Sequence, residues 1–208
     1  MEEGVIMGKR IMVVDDDPDI VEMVRRILEA EGYEVVHAYS GVECLELLKS
    51  MDRRPDLILL DIMMEPINGW ETLRRIKSDE VLKEIPVCML TVVPLTPETA
   101  TSEDIENIEN YIVKPFTKED ILKCVRDILE REREIKDVVG ELRKISDEIA
   151  NEYVETRKYV ERHRKLISVL MKLGGLDDEN TRRIIKEKEK KIMEKEARLK
   201  EITSMLRG

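Results

Sequence analysis

Residues 1–116 alternate short apolar runs with amphipathic stretches, and this alternation restricts the fold more than any other feature of the chain. The runs are RIMVVD (10–15), YEVVHA (33–38), DLILLD (56–61), IPVCML (85–90) and NYIVKP (110–115). Runs of this length and composition are typical of strands buried on both faces of a parallel sheet. Between the first two runs, Ile20, Val24 and Ile27 recur at helical spacing. The pattern predicts five parallel strands with helices on both faces.

The order of the five predicted strands follows from the way parallel sheets are connected. Strands that alternate with helices suit the flavodoxin-like order 2-1-3-4-5, in which the first and third strands are neighbours. Ligands of such sheets bind at the carboxyl ends of these two strands. We therefore predict an α/β domain over residues 1–130, with its functional site at that edge of the sheet.

Three carboxylates stand at the predicted edge. Asp15 and Asp16 follow the first apolar run, and Asp61 ends the third. A buried carboxylate is costly unless it is paired, and acids brought into one crevice also repel each other. A hard divalent cation with oxygen ligands relieves both problems, and Mg²⁺ suits a few carboxylates together with water and phosphate oxygens. We therefore predict Mg²⁺ as the cofactor.

A cation and a hydroxyl are predicted at the same edge. Lys114 ends the fifth apolar run and Thr91 follows the fourth. Carboxylates, a lysine and a hydroxyl in one crevice favour a phosphoryl-transfer site in which a carboxylate is the nucleophile. The metal and Lys114 would neutralise the phosphoryl oxygens. Asp61 is the candidate nucleophile because it closes a strand that is otherwise entirely apolar after Asp56.

Five motifs in chain order show which family residues 9–130 resemble. They are IMVVDDDPDI, PDLILLDIMM, NGWETLRRIK, PVCMLT and YIVKPF. In this order they resemble the CheY-like receiver domain of two-component response regulators. The resemblance implies that Asp61 is the phosphoacceptor of a phosphorelay and that its partner is a histidine kinase. It also implies that Asp15, Asp16 and Asp61 bind Mg²⁺ together with the backbone carbonyl of Met63.

The resemblance further implies a switch around the phosphoryl group. Thr91 would move towards that group, and Tyr111 would rotate inward behind Thr91. Lys114 would bind the phosphoryl oxygens, and the peptide bond between Lys114 and Pro115 would be cis, as family members have it. These residues follow the fourth apolar run or lie in the fifth, so they are expected beside Asp61.

The reaction at Asp61 is expected to be slow to reverse. We expect no enzymatic activity beyond self-phosphorylation and slow self-dephosphorylation, because Met63, Val92 and Val93 are apolar and hold attacking water poorly. Residues 92–110 also depart from the family pattern, with two prolines and no Gly-Ala turn. The fourth helix of the domain is therefore expected to be short, shifted or mobile.

Residues 131–208 have a different pattern, typical of a coiled coil. One row repeats every seven residues: Ile135, Leu142, Ile149, Thr156, His163 and Leu170. The companion row is Val138, Ile145, Glu152, Tyr159, Leu166 and Leu173. The stretch GGLDDEN (174–180) interrupts the repeat, and an apolar stripe then follows at Ile185, Ile192, Leu199, Ile202 and Leu206. These patterns predict one long helix from Thr117 to about 173 and a shorter return helix, forming an α-helical hairpin.

This hairpin is the predicted output or dimerisation region. A helix that exposes an apolar stripe just beyond the first domain is expected to form a homo-oligomer. The stretch has no recognisable DNA-binding motif, and its 24 Lys/Arg against 21 Asp/Glu (residues 117–208) leave it nearly uncharged. Nucleic-acid binding is therefore unexpected, and we expect output through an unknown protein partner.

Two alternative functions stay open on the sequence alone. One is a transcriptional or RNA regulator that binds nucleic acid through the helical tail, and the other is a non-phosphorylated pseudo-receiver that acts as a scaffold. The three cysteines form no closely spaced pair, which favours a reducing compartment. With no apolar run long enough to span a membrane, a cytoplasmic location is expected.

Overall fold

The computed structural model describes residues 8–92, 107–172 and 179–207. The strands are β1 (Arg10–Val14), β2 (Glu34–Ala38), β3 (Leu57–Asp61), β4 (Val87–Thr91) and β5 (Asn110–Val113). The helices are α1 (Pro18–Glu29), α2 (Gly41–Ser50), α3 (Gly69–Ser78), α4 (Lys118–Leu142), α5 (Asp147–Lys172) and α6 (Glu179–Ser204), followed by a 3-10 turn at Met205–Arg207. The chain divides into two compact units, and the division along α4 falls between Leu129 and Glu130.

The first unit contains a five-stranded parallel sheet in the order β2-β1-β3-β4-β5. This confirms the predicted flavodoxin-like fold. Val14 is in register with Leu60, and Thr91 is in register with Val113. The carboxyl ends of β1, β3, β4 and β5 therefore meet at one edge of the sheet, where the polar residues of the sequence motifs follow each strand.

The three central strands are buried on both faces of the sheet, because successive side chains of β1, β3 and β4 enter opposite apolar clusters. On one face, strand residues pack with α1 and with the first part of α4; this cluster includes Ile11, Val13, Leu57, Leu59, Cys88, Leu90, Val24, Leu28, Val125 and Ile128. On the other face they pack with α2 and α3; this cluster includes Met12, Val14, Ile58, Leu60, Met89, Leu48, Leu73 and Ile76. The continuous apolar runs of the sequence have this two-sided burial as their cause.

Side-chain caps fix the starts of the helices next to the sheet edge. Asp17 caps α1 by accepting a hydrogen bond from the amide of Asp19, and Pro18 occupies the first helical position. Asn68 caps α3 by accepting from the amide of Glu71. Asn is among the best N-cap residues, so Asn68 stabilises the start of α3.

The second unit differs from the prediction in one respect: its long helix is broken. The predicted continuous helix from Thr117 to about 173 is wrong, because α4 ends at Leu142 and α5 begins at Asp147. The amide of Ser146 still donates to the carbonyl of Leu142, but the Ser146 hydroxyl then accepts from the amides of Glu148 and Ile149. A serine cap thus starts a new helix, although residues 143–147 contain no glycine or proline.

Helices α5 and α6 form the predicted hairpin. Glu152, near the start of α5, pairs with Arg198, near the end of α6, as in an antiparallel arrangement. Four of the five residues of the predicted stripe are buried, namely Ile185, Ile192, Leu199 and Ile202, whereas Leu206 is exposed. No helix in the described ranges is both long and apolar enough to cross a bilayer.

The companion row predicted for α5 is shifted by one residue. Ile145 and Glu152 of that row are exposed, whereas Tyr153, Val160 and Ile167 are buried together with Thr156 and His163. Both sets recur every seven residues, so their spacing alone does not separate them. The break before α5 changes the phase of the helix and selects the second set.

Candidate functional site

The three predicted carboxylates lie together at the sheet edge. Ligand oxygens of Asp15, Asp16 and Asp61 lie within 4.8 Å of one another. Asp15 and Asp61 are almost completely buried, at 1% and 2% exposure, and Asp16 is exposed. Carboxylate oxygens at this separation suit a hard cation that completes its coordination with water. The donor set therefore fits Mg²⁺, with Asp16 on the solvent side.

Lys114 pairs with both buried carboxylates. Its Nζ lies 2.6 Å from Asp15 Oδ2 and 2.7 Å from Asp61 Oδ1. The backbone amide of Lys114 also donates to the carbonyl of Thr91 at 2.6 Å, which ties the end of β5 to the end of β4. The lysine therefore lies between two acids that come from different strands and partly neutralises them.

The pKa values at this site reflect the competition between burial and pairing. Burial raises the pKa of Asp15, and the hydrogen bond and charge of Lys114 offset only part of that rise. Burial alone would lower the pKa of Lys114, but the hydrogen bonds and charges of Asp15 and Asp61 outweigh it and raise that pKa. The raised pKa keeps Lys114 charged at neutral pH.

The loop after β3 holds Asp61 in place. Asp61 Oδ2 accepts a hydrogen bond from the amide of Met63 at 2.7 Å, and the amide of Gly69 donates to the carbonyl of Ile62 at 2.9 Å. A Cβ at position 69 would lie 2.1 Å from the backbone oxygen of Asp61. Only glycine permits this close approach. The motif NGWETLRRIK contains Gly69, but the sequence does not reveal the contact of this glycine with Asp61.

The predicted switch residues flank this cluster. Thr91 is buried at the end of β4, one residue beyond the pair formed by Asp61 and Leu90. Tyr111 is half-buried in β5, and burial raises the pKa of its hydroxyl. The peptide bond that follows Lys114 is cis. A second cis bond, Glu65–Pro66, lies in the loop after Asp61 and was not predicted from the sequence.

Two of the three apolar residues that were expected to hold attacking water poorly are exposed. The side chain of Met63 is 60% exposed and that of Val92 is 53% exposed. The third, Val93, lies outside the described residues, as do residues 94–106. The expectation that the helix between β4 and β5 is short, shifted or mobile is therefore untested. Tyr39, which follows β2, is also exposed.

Comparison with known sequences gives a consistent family. The family described as the response regulator receiver domain matches residues 11–126. The DNA-binding dual master transcriptional regulator RpaA of Synechocystis sp. is 36% identical over 122 residues, which are 59% of this chain and 49% of that protein. The phosphate regulon regulatory protein PhoB of Pseudomonas aeruginosa is 35% identical over 130 residues, 61% of this chain and 54% of that protein. The chain spans about half the length of these curated relatives.

Solved structures agree with this comparison. A CheY-like receiver domain protein from Methanospirillum hungatei is 28% identical, with a TM-score of 0.55, and the match covers 61% of this chain and 97% of that one. The response regulator TrrA of Thermotoga maritima, solved in complex with Mg²⁺-BeF, is 32% identical, with a TM-score of 0.51, 58% of this chain and 99% of that one. Both matches reproduce nearly the whole neighbour from about three fifths of this chain.

Proposed function

The chain belongs to the response regulator receiver family, and we propose that it accepts a phosphoryl group on Asp61 from a histidine kinase. The observation that carries this proposal is the cluster at the sheet edge, in which Lys114 lies within 2.7 Å of Asp61 and 2.6 Å of Asp15. A structural acid would not need a partly buried lysine, a second buried acid and an exposed third acid within reach of one cation.

The residues of the site divide the reaction between them. A carboxylate oxygen of Asp61 attacks the phosphorus of the phosphohistidine, the bond between phosphorus and the imidazole nitrogen breaks, and an acyl phosphate forms. Mg²⁺ bound by Asp15, Asp16 and Asp61 would neutralise the phosphoryl oxygens. Lys114 is already paired with Asp61, so it can follow the negative charge from the carboxylate to the new phosphoryl group.

A direct test uses a small phosphodonor in place of the kinase. The full chain is incubated with acetyl phosphate and Mg²⁺, and phosphoryl uptake is followed by intact mass. We expect uptake by the wild type, none by Asp61→Asn, and none when a chelator removes the metal. Uptake by Asp61→Asn at the wild-type rate would show the assignment to be wrong, and no uptake by the wild type would favour the pseudo-receiver scaffold.

The acyl phosphate should be long-lived. Hydrolysis needs a water molecule held in line with the phosphorus, and the exposed side chains of Met63 and Val92 offer it no hydrogen bond. We expect Met63→Asn to speed the decay of preloaded protein several-fold, because an amide can hold that water. Met193→Asn, on an exposed side chain of the helical unit, serves as the matched control. Equal decay of Met63→Asn and wild type would contradict the proposal.

The output of the helical unit is proposed to be contact with a protein. Its charge is balanced, and some of its basic side chains are engaged within the hairpin: Arg198 pairs with Glu152 and Glu201, and Arg164 pairs with Glu196. These pairs place a carboxylate beside each arginine, which lowers the local positive potential that would attract a phosphate backbone. This supports a protein partner more than a nucleic-acid backbone.

The names of the relatives favour nucleic-acid binding as the second candidate, since RpaA is a DNA-binding regulator. That match covers 59% of this chain and about half of RpaA, so it leaves much of both proteins unmatched. Binding of the full chain to mixed-sequence DNA at increasing salt distinguishes the two. A phosphate-contacting tail gives a steep loss of affinity with salt, and we expect no measurable binding.

Homo-oligomerisation stays a prediction, and fewer residues of the predicted apolar stripe are available for it than the sequence suggested. Ile135 and Leu142 of the proposed stripe are buried within the chain itself. Ile145 is 52% exposed, and Val138 is partly exposed. We expect a weak self-association that Ile145→Lys abolishes in light scattering, whereas a monomer at all concentrations would remove the prediction.

A further inference from the structure

Two of the three cysteines are in contact inside the first unit. Cys88 Sγ, on β4, and Cys124 Sγ, on α4, lie 3.2 Å apart. Both are thiols and both are buried in the same apolar cluster, at 0% and 5% exposure. This pair could not be predicted from the sequence, because the two residues are 36 positions apart and belong to different elements.

The separation of the two sulfurs exceeds the length of a disulfide bond by about 1 Å. A disulfide holds its sulfurs at about 2.05 Å, so the two thiols need to approach by roughly 1 Å. Cys88 and Cys124 already belong to one apolar cluster on the same face of the sheet, so neither side chain has to change face for the bond to form. The third cysteine is an internal contrast: Cys44 lies in the cluster on the other face, with its Sγ 3.6 Å from Met12 Sδ.

We propose that Cys88 and Cys124 are an oxidation site that forms an intramolecular disulfide and so restrains the strand that ends in Thr91. With a small disulfide such as oxidised glutathione as oxidant, one thiolate attacks a glutathione sulfur and releases one reduced glutathione. The second cysteine then attacks the mixed disulfide and releases the other. The two protein thiols lose two electrons and two protons, and the oxidant gains them.

The position of the bond gives it a consequence for the functional site. Cys88 precedes Thr91 by three residues on β4, and the carbonyl of Thr91 accepts the amide of Lys114. Cys124 lies on α4, the helix that continues beyond the first unit. The disulfide would therefore link the strand behind the phosphoryl site to that helix. This effect on signalling rests on the proposed function, whereas formation of the bond does not.

The first arm of the test is chemical and independent of phosphorylation. The full chain is incubated with oxidised glutathione both in the native state and during refolding from urea, and free thiols are then blocked before digestion with trypsin. We expect the peptide that contains Cys124 to be linked to the peptide that contains Cys88, and Cys44 to be blocked. Cys44 differs from the pair in its neighbour: its Sγ lies beside Met12 Sδ in the cluster on the other face of the sheet, and that cluster contains neither Cys88 nor Cys124.

Matched variants fix the interpretation. Cys88→Ala and Cys124→Ala should each abolish the linked peptide, and Cys44→Ala should leave it unchanged. The oxidised wild type should melt several degrees above the reduced protein, because the bond closes a loop of the unfolded chain. No linked peptide by either route, a bond that involves Cys44, or a lower melting temperature on oxidation would overturn the proposal.

The second arm measures phosphoryl uptake from acetyl phosphate by oxidised and reduced protein. We expect oxidation to slow uptake several-fold in the wild type and in Cys44→Ala, and to have no effect in Cys88→Ala. Equal rates in oxidised and reduced wild type would overturn the restraint on Thr91. If neither form takes up phosphate while the linked peptide is present, the proposed function fails and the oxidation site does not.

Discussion

The two units of the molecule place their buried polar groups in opposite ways. In the first unit, Asp15, Asp61 and Thr91 are gathered at one edge of the sheet, with Lys114 paired to both acids. In the helical unit, the buried polar residues Thr156 and His163 lie two turns apart along the apolar row of α5. Gathered groups can act on one ligand together, whereas separated groups serve packing.

The partners of these groups show the same difference. His163 Nδ1 lies 2.9 Å from the carbonyl oxygen of Tyr159, one turn earlier on the same helix, and the two rings stack at 3.8 Å. The histidine thus has a local partner, as expected for a residue of the seam between helices. Lys114, in contrast, contacts acids 99 and 53 positions away in sequence, 114 − 15 and 114 − 61. Only the long-range arrangement builds a site.

We expect the largest effect on the free energy of unfolding when a buried leucine is truncated in each unit. Leu60 is fully buried in the middle of the sheet, and Leu199 is buried on one side of a helical hairpin. We expect Leu60→Ala to lower the free energy of unfolding by about 4 kcal/mol and Leu199→Ala by about 2 kcal/mol, because the sheet cannot collapse onto the cavity. Urea unfolding followed by circular dichroism measures both values. Equal losses of stability in the two variants would contradict the expected difference between the sheet and the hairpin.

A pair of glycine substitutions gives the next largest effect and separates site geometry from helix propensity. Gly69→Ala places a Cβ 2.1 Å from the Asp61 backbone oxygen, so the loop must shift. We expect a loss of about 2 kcal/mol in stability and a markedly slower phosphoryl uptake.

Gly140 in α4 is the matched control, because a Cβ there meets nothing within 4 Å. Gly140→Ala should stabilise the helix by about 0.5–1 kcal/mol and leave uptake unchanged. If Gly69→Ala takes up phosphate at the wild-type rate, the close approach does not position Asp61.

We expect the smallest effect when ion pairs are removed, and the pH dependence of stability shows it. Burial alone would raise the pKa of Asp56, but hydrogen bonds from Lys9 and from the Arg10 amide outweigh it and lower the pKa below 3.8. A lowered pKa means that the ionised form stabilises the folded state above pH 3.8 and that this contribution is lost as the pH falls through the folded-state pKa. Asp56→Asn should therefore cost about 1 kcal/mol at pH 7 and nothing in strong acid.

In the hairpin, Glu152→Gln should change the melting temperature very little, although the hydrogen bond from Arg198 lowers the pKa of Glu152. Both partners of that pair are exposed, and solvent screens them. A loss for Glu152→Gln as large as that for Asp56→Asn, measured across the same pH series, would contradict this ranking.

The sequence predicted the first unit well because each strand there carries two independent signals. DLILLD marks both a buried strand and the polar residue that ends it, and parallel strands bring such ends to one edge. Asp15, Asp61 and Lys114 could therefore be grouped without a structure. The contact of Gly69 with Asp61 and the pairing of Cys88 with Cys124 could not, because they depend on how loops and helices pack across long sequence separations.

The helical unit was predicted less well because its signal is only periodic. Rows that contain Glu152 and Tyr153 both repeat by seven, so the buried one is decided by the phase of the helix. That phase depends on the break after Leu142, where a serine cap rather than a glycine or proline redirects the chain. A cap that is ordinary elsewhere in the chain carries no warning that a helix ends there.

Phosphorylation of Asp61 is tested most directly by locating the phosphoryl group in the intact chain. After incubation with acetyl phosphate and Mg²⁺, borohydride reduces the acyl phosphate to an alcohol, and tandem mass spectrometry locates the reduced residue. We expect the label at Asp61 alone, with none in residues 130–208. A label at Asp15, at Asp16 or in the helical unit, with Asp61 unmodified, would contradict it.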